Sequence, residues 1–235
     1  FLKDKHIPFT FYGKRPKYKT IAFTNNIQLL PVQIPIVAAC VEKESGVIVA
    51  PAGSGKTIIG LELIARRKLP ALILVHRKQL LDQWVDRIQT FLGIPKKDIG
   101  LYYSAKKQTG NHVTVAMMQT LARIGNLKEL SEQFGTIIVD ECHRGSARDE
   151  SNWREILEYF EPAYQIGITA TPLREDNRDT YRYFGNPIYT YSLKQGIEDG
   201  FLAPYRVHRV VSSVDATGWR PSEGELDRYG REIPD

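Results

Sequence analysis

Val47-Ile48-Val49-Ala50-Pro51-Ala52-Gly53-Ser54-Gly55-Lys56-Thr57 decides how the rest of the chain is read. A β-branched run ends at Ala50, a glycine-bearing turn follows, and Ile58, Ile59, Leu61, Leu63 and Ile64 then recur with helical spacing. A strand, a tight turn and an amphipathic helix in that order make a phosphate cradle. Gly53 and Gly55 let backbone N–H groups converge on a polyphosphate, and the helix start adds partial positive charge. Ala52, Gly53, Ser54, Gly55, Lys56 and Thr57 are therefore the candidate nucleotide-binding residues. Lys56 is placed to reach the β- and γ-phosphates, and the Thr57 hydroxyl to ligate magnesium. The stretch departs from the general GxxxxGK[ST] pattern in carrying Ala50 where the first glycine would stand. Average residue frequencies give a string such as AxxGxGK[ST] by chance in about one chain of this length per thousand. String and context together favour a nucleotide site over an incidental Gly-Lys at a helix start.

Outward from this loop, short β-branched runs alternate with segments of helical period. Strands are expected over 47–50, 71–75, 99–103, 113–117, 136–140 and 165–169, and helices over 35–43, 55–67, 78–91, 119–124, 127–134 and 151–160. The strands are almost continuously apolar, as strands covered on both faces require. The expected fold is α/β, a mostly parallel central sheet with helices on both sides. Within the 78–91 helix, Leu80, Leu81, Trp84 and Ile88 form a buried stripe.

Ile137-Ile138-Val139-Asp140-Glu141-Cys142-His143 puts two carboxylates at the C-terminal end of a buried strand. Open α/β sheets bind ligands at that edge, so these carboxylates can face the phosphate loop. Asp140 suits a magnesium ion, held directly or through water. Glu141 sits where a base orients or deprotonates an attacking water. Such a string alone is weak, because charged residues often end strands; with the phosphate loop it is strong.

Ala50–Thr57, Asp140–His143 and Thr169-Ala170-Thr171-Pro172 resemble motifs I, II and III of superfamily 2 DEAD/DEAH-type helicases and translocases. Leu30-Pro31-Val32-Gln33 looks like the adenine-reading element of that family, with Gln33 in the place of its glutamine. Leu74-Val75-His76-Arg77-Lys78-Gln79-Leu80 resembles motif Ia, and Val115-Ala116-Met117-Met118-Gln119-Thr120-Leu121 the following nucleic-acid-contacting segment. The resemblance covers about residues 29–209 and implies a RecA-like P-loop three-layer sandwich. Through about Asp140 it looks like bacterial and phage superfamily 2 proteins that carry a string like Val75–Trp84. From His143-Arg144-Gly145 through Gly200-Phe201-Leu202-Ala203-Pro204-Tyr205 it is closer to the motor subunits of type I restriction enzymes. A motor excerpt and a composite both satisfy this pattern.

The resemblance implies ATP and Mg2+ as cofactors and an ATP hydrolase of the DNA-dependent helicase class. Lys56 and Glu141 are the catalytic candidates, and Thr57 and Asp140 the metal candidates. Thr169 and Thr171 offer hydroxyls at a strand end that can report the γ-phosphate state to the acidic box, with His143 as a polar link. Each has a plainer reading: β-branched residues closing a strand before Pro172, and a surface histidine. Arg77, Lys78, Gln119 and Thr120 follow strand ends on the same sheet edge and suit backbone-phosphate contacts without base reading. For Arg77 and Lys78 the competitor is a solvated helix start. Arg144, Arg148 and Arg174 extend the track loosely.

Residues 1–28 interleave Phe9, Phe11, Tyr12 and Tyr18 with Lys14, Arg15, Lys17 and Lys19. This is a stacking surface for nucleic acid or, as the favoured reading, an edge hairpin with a half-buried aromatic face. The expected organisation is this N-terminal β appendage over 1–28, a motor lobe over 29–211, and a linker or hairpin over 212–235 towards a second lobe.

The chain has 235 residues, 42% hydrophobic and 25% charged, a globular balance rather than a disordered one. Its net charge of +5 permits a polyanionic partner without requiring one. No apolar run approaches the roughly 20 residues that span a bilayer. Two cysteines, Cys40 and Cys142, far apart in sequence, argue against a Cys-based zinc site and fit a reducing cytoplasm. The start at Phe1, without a basic-then-apolar leader, reads as no secretion signal.

In the family resembled, hydrolysis occurs between two RecA-like lobes, and the second supplies an arginine finger. Nothing after Thr171 resembles that second lobe, and no D…ExK nuclease set precedes residue 46. The expectation is an ATP-binding first lobe of a double-stranded DNA translocase or helicase of a restriction system, poor at hydrolysis by itself. Its partners would be nucleic acid, the second lobe and other restriction subunits. The alternative is a nucleic-acid sensing module that uses ATP as a switch. A small-molecule kinase is disfavoured by the threonine strand end after the acidic box.

Overall fold

In the computed structural model, residues 17–142, 150–161, 163–170 and 178–204 are described. Among them an eight-stranded sheet runs in the order β4-β3-β5-β2-β6-β7-β1-β8. Its strands are β1 (Ser45–Val49), β2 (Ala71–Val75), β3 (Gly100–Tyr103), β4 (Lys106–Gln108), β5 (Val113–Met117), β6 (Thr136–Asp140), β7 (Tyr164–Thr169) and β8 (Tyr189–Thr190). Every pairing is parallel except the β3–β4 hairpin.

The alternation of side chains along each strand builds a core on each face. Ile48, Ile73, Val75, Ile138 and Ile168 point to one face, under α1 (Gln33–Val41), α2 (Lys56–Arg67) and α3 (Lys78–Leu92). Val47, Leu72, Leu74, Ile137 and Val139 point to the other. There they meet α4 (Met118–Leu121), α5 (Lys128–Ser131), α6 (Glu150–Tyr159) and α7 (Arg178–Phe184). The result is the expected three-layer α/β sandwich. Burying both faces is why the strands read as continuous apolar runs.

Register sets the working edge. Val49 of β1 lies level with Thr169 of β7, Asp140 of β6 with Ile168, and Val75 of β2 with Met117 of β5. The phosphate-loop strand and the acidic-box strand are thus separated by β7 alone, and their C-terminal ends open on the same side.

Several elements differ from the sequence expectation. The helix expected from Pro35 begins at Gln33, because a proline in the first turn removes only an N–H with no helical partner. The helices expected over 119–124 and 127–134 are single turns, Met118–Leu121 and Lys128–Ser131. Asn126 ends the intervening stretch by accepting from the Lys128 backbone. β4, β8, α7 and α8 (Leu193–Glu198) were not expected. The last had a legible start: Ser192 and Gln195 form a capping box, each side chain bonded to the other's backbone.

No strand occurs over residues 17–30, so the described part of the expected N-terminal β appendage is not a hairpin. It runs along the lobe instead, with Ile21 N–H donating to Lys68 O at 2.9 Å, Asn26 N–H to Phe91 O at 2.9 Å, and Asn25 Nδ2 to Glu62 Oε2 at 2.8 Å. Residues 1–16 and the run expected at 205–211 lie outside the described residues. One compact unit spans Phe1–Leu202; the second, Ala203–Asp235, is almost wholly outside them. No helix among the described residues is long and apolar enough to cross a membrane.

Candidate nucleotide site at the sheet edge

The phosphate loop has the backbone that its glycines permit. Gly53 has φ +84° and Gly55 φ +78°, and Gly55 caps α2 in the left-handed region. That cap makes no side-chain hydrogen bond. The N–H groups of the first helical turn have no intrahelical partners and gather at the loop. Ser54 is buried and its hydroxyl donates to Pro51 O at 2.8 Å, which closes the turn. Lys56 begins α2, and its ammonium donates to Ala50 O at 3.2 Å and Pro51 O at 3.1 Å. Thr57 follows it, half-buried.

Gln33 braces this loop from α1. Its Nε2 donates to Ser54 O at 3.0 Å and its Oε1 accepts from Leu30 N–H at 3.0 Å, with the residue 2% exposed. The carboxamide assigned by resemblance to adenine is thus engaged with the backbone on both sides. A Cβ at Gly55 would lie 2.3 Å from Gln33 Nε2, so the glycine meets a steric demand as well as a conformational one. Gly55→Ala is expected to cost about 1–2 kcal/mol through φ alone. For a chain of this size that is roughly 2–8 °C of melting temperature. Gly185 supplies the reference, with φ +79° and nothing within 4 Å of an added Cβ. Thermal unfolding should show Gly55→Ala losing more than Gly185→Ala; equal losses would mean the Gln33 contact yields freely.

Asp140 ends β6, 8% exposed, and its Oδ2 accepts from the Trp84 indole N–H at 2.8 Å. Burial holds its carboxyl above the usual carboxylate range, and the Glu141 charge adds to that; the indole, Lys56 and a Glu141 backbone hydrogen bond oppose it. Burial likewise pushes the Lys56 ammonium below its ordinary value, against the fields of Asp140 and Glu141. The three groups therefore share one electrostatic neighbourhood. Glu141 stands at φ +52°, a left-handed conformation uncommon for a residue with a side chain. Its Oε2 lies 3.6 Å from His76 Nε2 at the end of β2. Strained positions of this kind cost about 1–3 kcal/mol and cluster at functional sites.

Between these two strand ends lies Thr169, fully buried, whose carbonyl accepts from Ala50 N–H at 2.8 Å. It ties β7 to the loop entry. His143 and Thr171 lie outside the described residues, as do Arg144, Arg148 and Arg174.

Of the candidate nucleic-acid contacts, Arg77 is exposed at the α3 N-cap. Lys78 is exposed, pairs with Asp82 at 2.6 Å and lies 5.2 Å from the Tyr103 ring centroid. Gln119 is exposed and donates to His76 O at 3.1 Å. Thr120 is 8% exposed and does not join the other three at the surface.

Reading the sequence missed three neighbours of the site. Trp84 was placed in the α3 core stripe without a partner for its N–H, although a buried indole ordinarily needs one. His76 was noted only within a motif. Leu202 lies against the loop, with its Cδ2 3.2 Å from where a Gly53 Cβ would stand; no sequence signal pointed there.

The donor set fits a magnesium–triphosphate. Two glycines stand at positive φ in the loop, and the Lys56 ammonium lies against the loop's own Ala50 and Pro51 carbonyls. Among the described residues no group of three or more His, Cys, Asp and Glu gathers to hold a metal unaided. Mg2+ takes one or two carboxylates and draws its other ligands from phosphate and water. Asp140 and Thr57 are the residues that could hold it.

The chain is 37% identical to the type I restriction enzyme EcoAI endonuclease subunit of Escherichia coli, over 95% of this chain and 27% of that protein. It is 26% identical to the DNA 3'-5' translocase XPB2 of Sulfurisphaera tokodaii, over 81% of this chain and 42% of that one. Among solved structures, a fragment assigned to the HsdR subunit of a type I restriction enzyme from Vibrio vulnificus is 39% identical. It superposes with a TM-score of 0.56 over 78% of this chain and 34% of the other. The chain thus spans less than half the length of each of these relatives. The Escherichia coli match runs through both of the stretches whose resemblances differed in sequence. The fold is that of the RecA-like helicase cores. Residues 19–174 match the family described as type III restriction enzyme, res subunit, a span that carries the phosphate loop, Asp140 and Thr169 together, and the chain belongs to that family.

Proposed function

We propose that the chain is the ATP-binding first motor lobe of an ATP-dependent double-stranded DNA translocase or helicase of a restriction system. The supporting observation is the convergence of Lys56, Asp140, Glu141 and Thr169 at one sheet edge, beside a loop whose glycines stand at positive φ. The relatives named as a restriction endonuclease subunit and a DNA translocase support the DNA and the motor parts of the reading.

Each residue has a task in this reading. The loop N–H groups of residues 53–57 cradle the phosphates, and Lys56 turns from the Ala50 and Pro51 carbonyls to the β- and γ-phosphates. Thr57 and Asp140 would hold magnesium, which would neutralise phosphate charge when bound. Glu141 orients the attacking water and takes its proton. Thr169, hydrogen-bonded through its carbonyl to the loop entry, moves with the loop; with Thr171 and His143 it passes the γ-phosphate state to β6 and β7. Arg77, Lys78 and Gln119 meet the DNA backbone. Two free, buried cysteines agree with a cytoplasmic setting.

Hydrolysis needs a second RecA-like lobe with its arginine finger, whose absence typically costs roughly 10³–10⁵ in turnover. The test measures ATP turnover of this chain alone and of the chain joined to a second lobe, each with duplex DNA, single strands and RNA. Duplex DNA should stimulate the joined protein most, and the chain alone should remain at least about 10³-fold slower. DNA-stimulated turnover of the chain alone near about one per second, an ordinary enzyme rate, would overturn the two-lobe requirement.

A further inference from the structure

The geometry points to Trp84 as a positioning residue that holds the Asp140 carboxylate in place for the magnesium–nucleotide. This inference rests on the nucleotide-site reading above. Trp84 lies six residues into α3, 1% exposed, with its indole N–H 2.8 Å from Asp140 Oδ2. An indole nitrogen donates only, so this bond has one direction: it fixes the Oδ2 oxygen of the carboxylate and with it the side chain's orientation. A buried carboxylate that must bind a cation needs its rotamer set by something other than the cation, and such partners strongly tune affinity.

The surroundings are shaped for the indole. A Cβ at Gly60 of α2 would lie 2.8 Å from Trp84 Cη2, and 3.4 and 3.5 Å from Ile168 Cδ1 and Ile138 Cγ2. The ring therefore enters a slot between α2 and the sheet that exists because residue 60 has no side chain. The floor of that slot is Ile138 on β6 and Ile168 on β7, the two strands that end at Asp140 and Thr169. The ring has little freedom to rotate away. Packing alone would be met by phenylalanine or leucine at position 84; the hydrogen bond would not.

Nucleotide affinity of this chain, by calorimetric titration with ADP in Mg2+ and again in EDTA, separates positioning from packing. The wild-type ratio of the two affinities measures what the metal contributes to binding, of which the Asp140 share is what Trp84 would set. Trp84→Phe keeps an aromatic ring and removes the N–H. It should lower affinity in Mg2+ by about 10- to 100-fold, the usual cost of losing a partner that orients a metal ligand, and leave affinity in EDTA unchanged. Leu81→Ala removes comparable packing from the same buried face of α3 and should leave the ratio as in wild type. If Trp84→Phe does not fold, benzothienylalanine at position 84, which keeps the shape and lacks the N–H, gives the same comparison. A Trp84→Phe ratio equal to wild type, or losses shared equally between Mg2+ and EDTA or with Leu81→Ala, overturns the positioning role. A wild-type chain that binds ADP in neither condition overturns the nucleotide-site reading and this inference with it; one that binds ADP equally in Mg2+ and EDTA overturns this inference alone.

Discussion

Lys56→Ala should abolish the thermal protection that Mg-ATP gives this chain. A ligand that binds only the folded state stabilises it by about 2.7 kcal/mol at a hundred times its dissociation constant. For a chain of this length that is roughly 5–11 °C of melting temperature. The phosphate site brings several negative charges beside Asp140 and Glu141, whose fields already reach Lys56. Without the Lys56 ammonium, magnesium alone is left to offset the repulsion between those carboxylates and the triphosphate, in a place where burial weakens solvent screening. Stability without nucleotide should change far less. The substitution relieves the burial of a charge, which has pushed the lysine's pKa down, and gives up two hydrogen bonds to Ala50 and Pro51 carbonyls. Thermal melts with and without Mg-ATP check both halves. A Lys56→Ala chain that keeps the full ATP-dependent shift would remove the cradle from its proposed role.

The sheet was legible because both of its faces are covered. Strands such as Ala71–Val75 and Ile137–Val139 needed apolar side chains at every position, and the sequence shows them as unbroken runs. The phosphate loop was legible because its chemistry is local, with glycines, lysine and threonine adjacent in sequence. The capping box at Ser192 and Gln195 was present but passed over. β4 and β8 are edge strands of three and two residues, too short to show a period. The partners of the acidic box were hidden for another reason. Trp84 and Asp140 are 56 residues apart, and their bond exists because α3 packs over β2 and β5 and Trp84 reaches from it to the end of the neighbouring β6. Likewise Gln33 looked like a base-reading residue while its surroundings, Ser54 O and Leu30 N–H, depend on how α1 docks beside the loop. A single sequence states which residues can do chemistry more readily than which neighbours hold them.

Glu141→Gln, in a protein that joins this lobe to a second one, should cut DNA-stimulated ATP turnover by about 10²–10⁴-fold, the usual contribution of a positioned acid–base group. Glutamine matches glutamate in shape and meets the same φ of +52°, so the backbone demand at this position is unchanged. What is lost is the proton acceptor. Nucleotide binding should be kept or slightly tightened, because one negative charge beside the triphosphate disappears while Lys56, Thr57 and Asp140 remain. Asp140→Asn supplies the contrast, since it should weaken binding in Mg2+ and leave binding in EDTA in place. Single-turnover hydrolysis separates these effects, and strand displacement along a duplex adds the motor readout. Retained DNA binding with translocation lost is the outcome a motor requires. A sensing module would go on switching with ATP bound and unhydrolysed, so a Glu141→Gln protein that keeps full DNA-dependent function would favour the switch. Turnover within threefold of the unsubstituted protein would leave Glu141 without a catalytic task, and its left-handed backbone would then need another explanation.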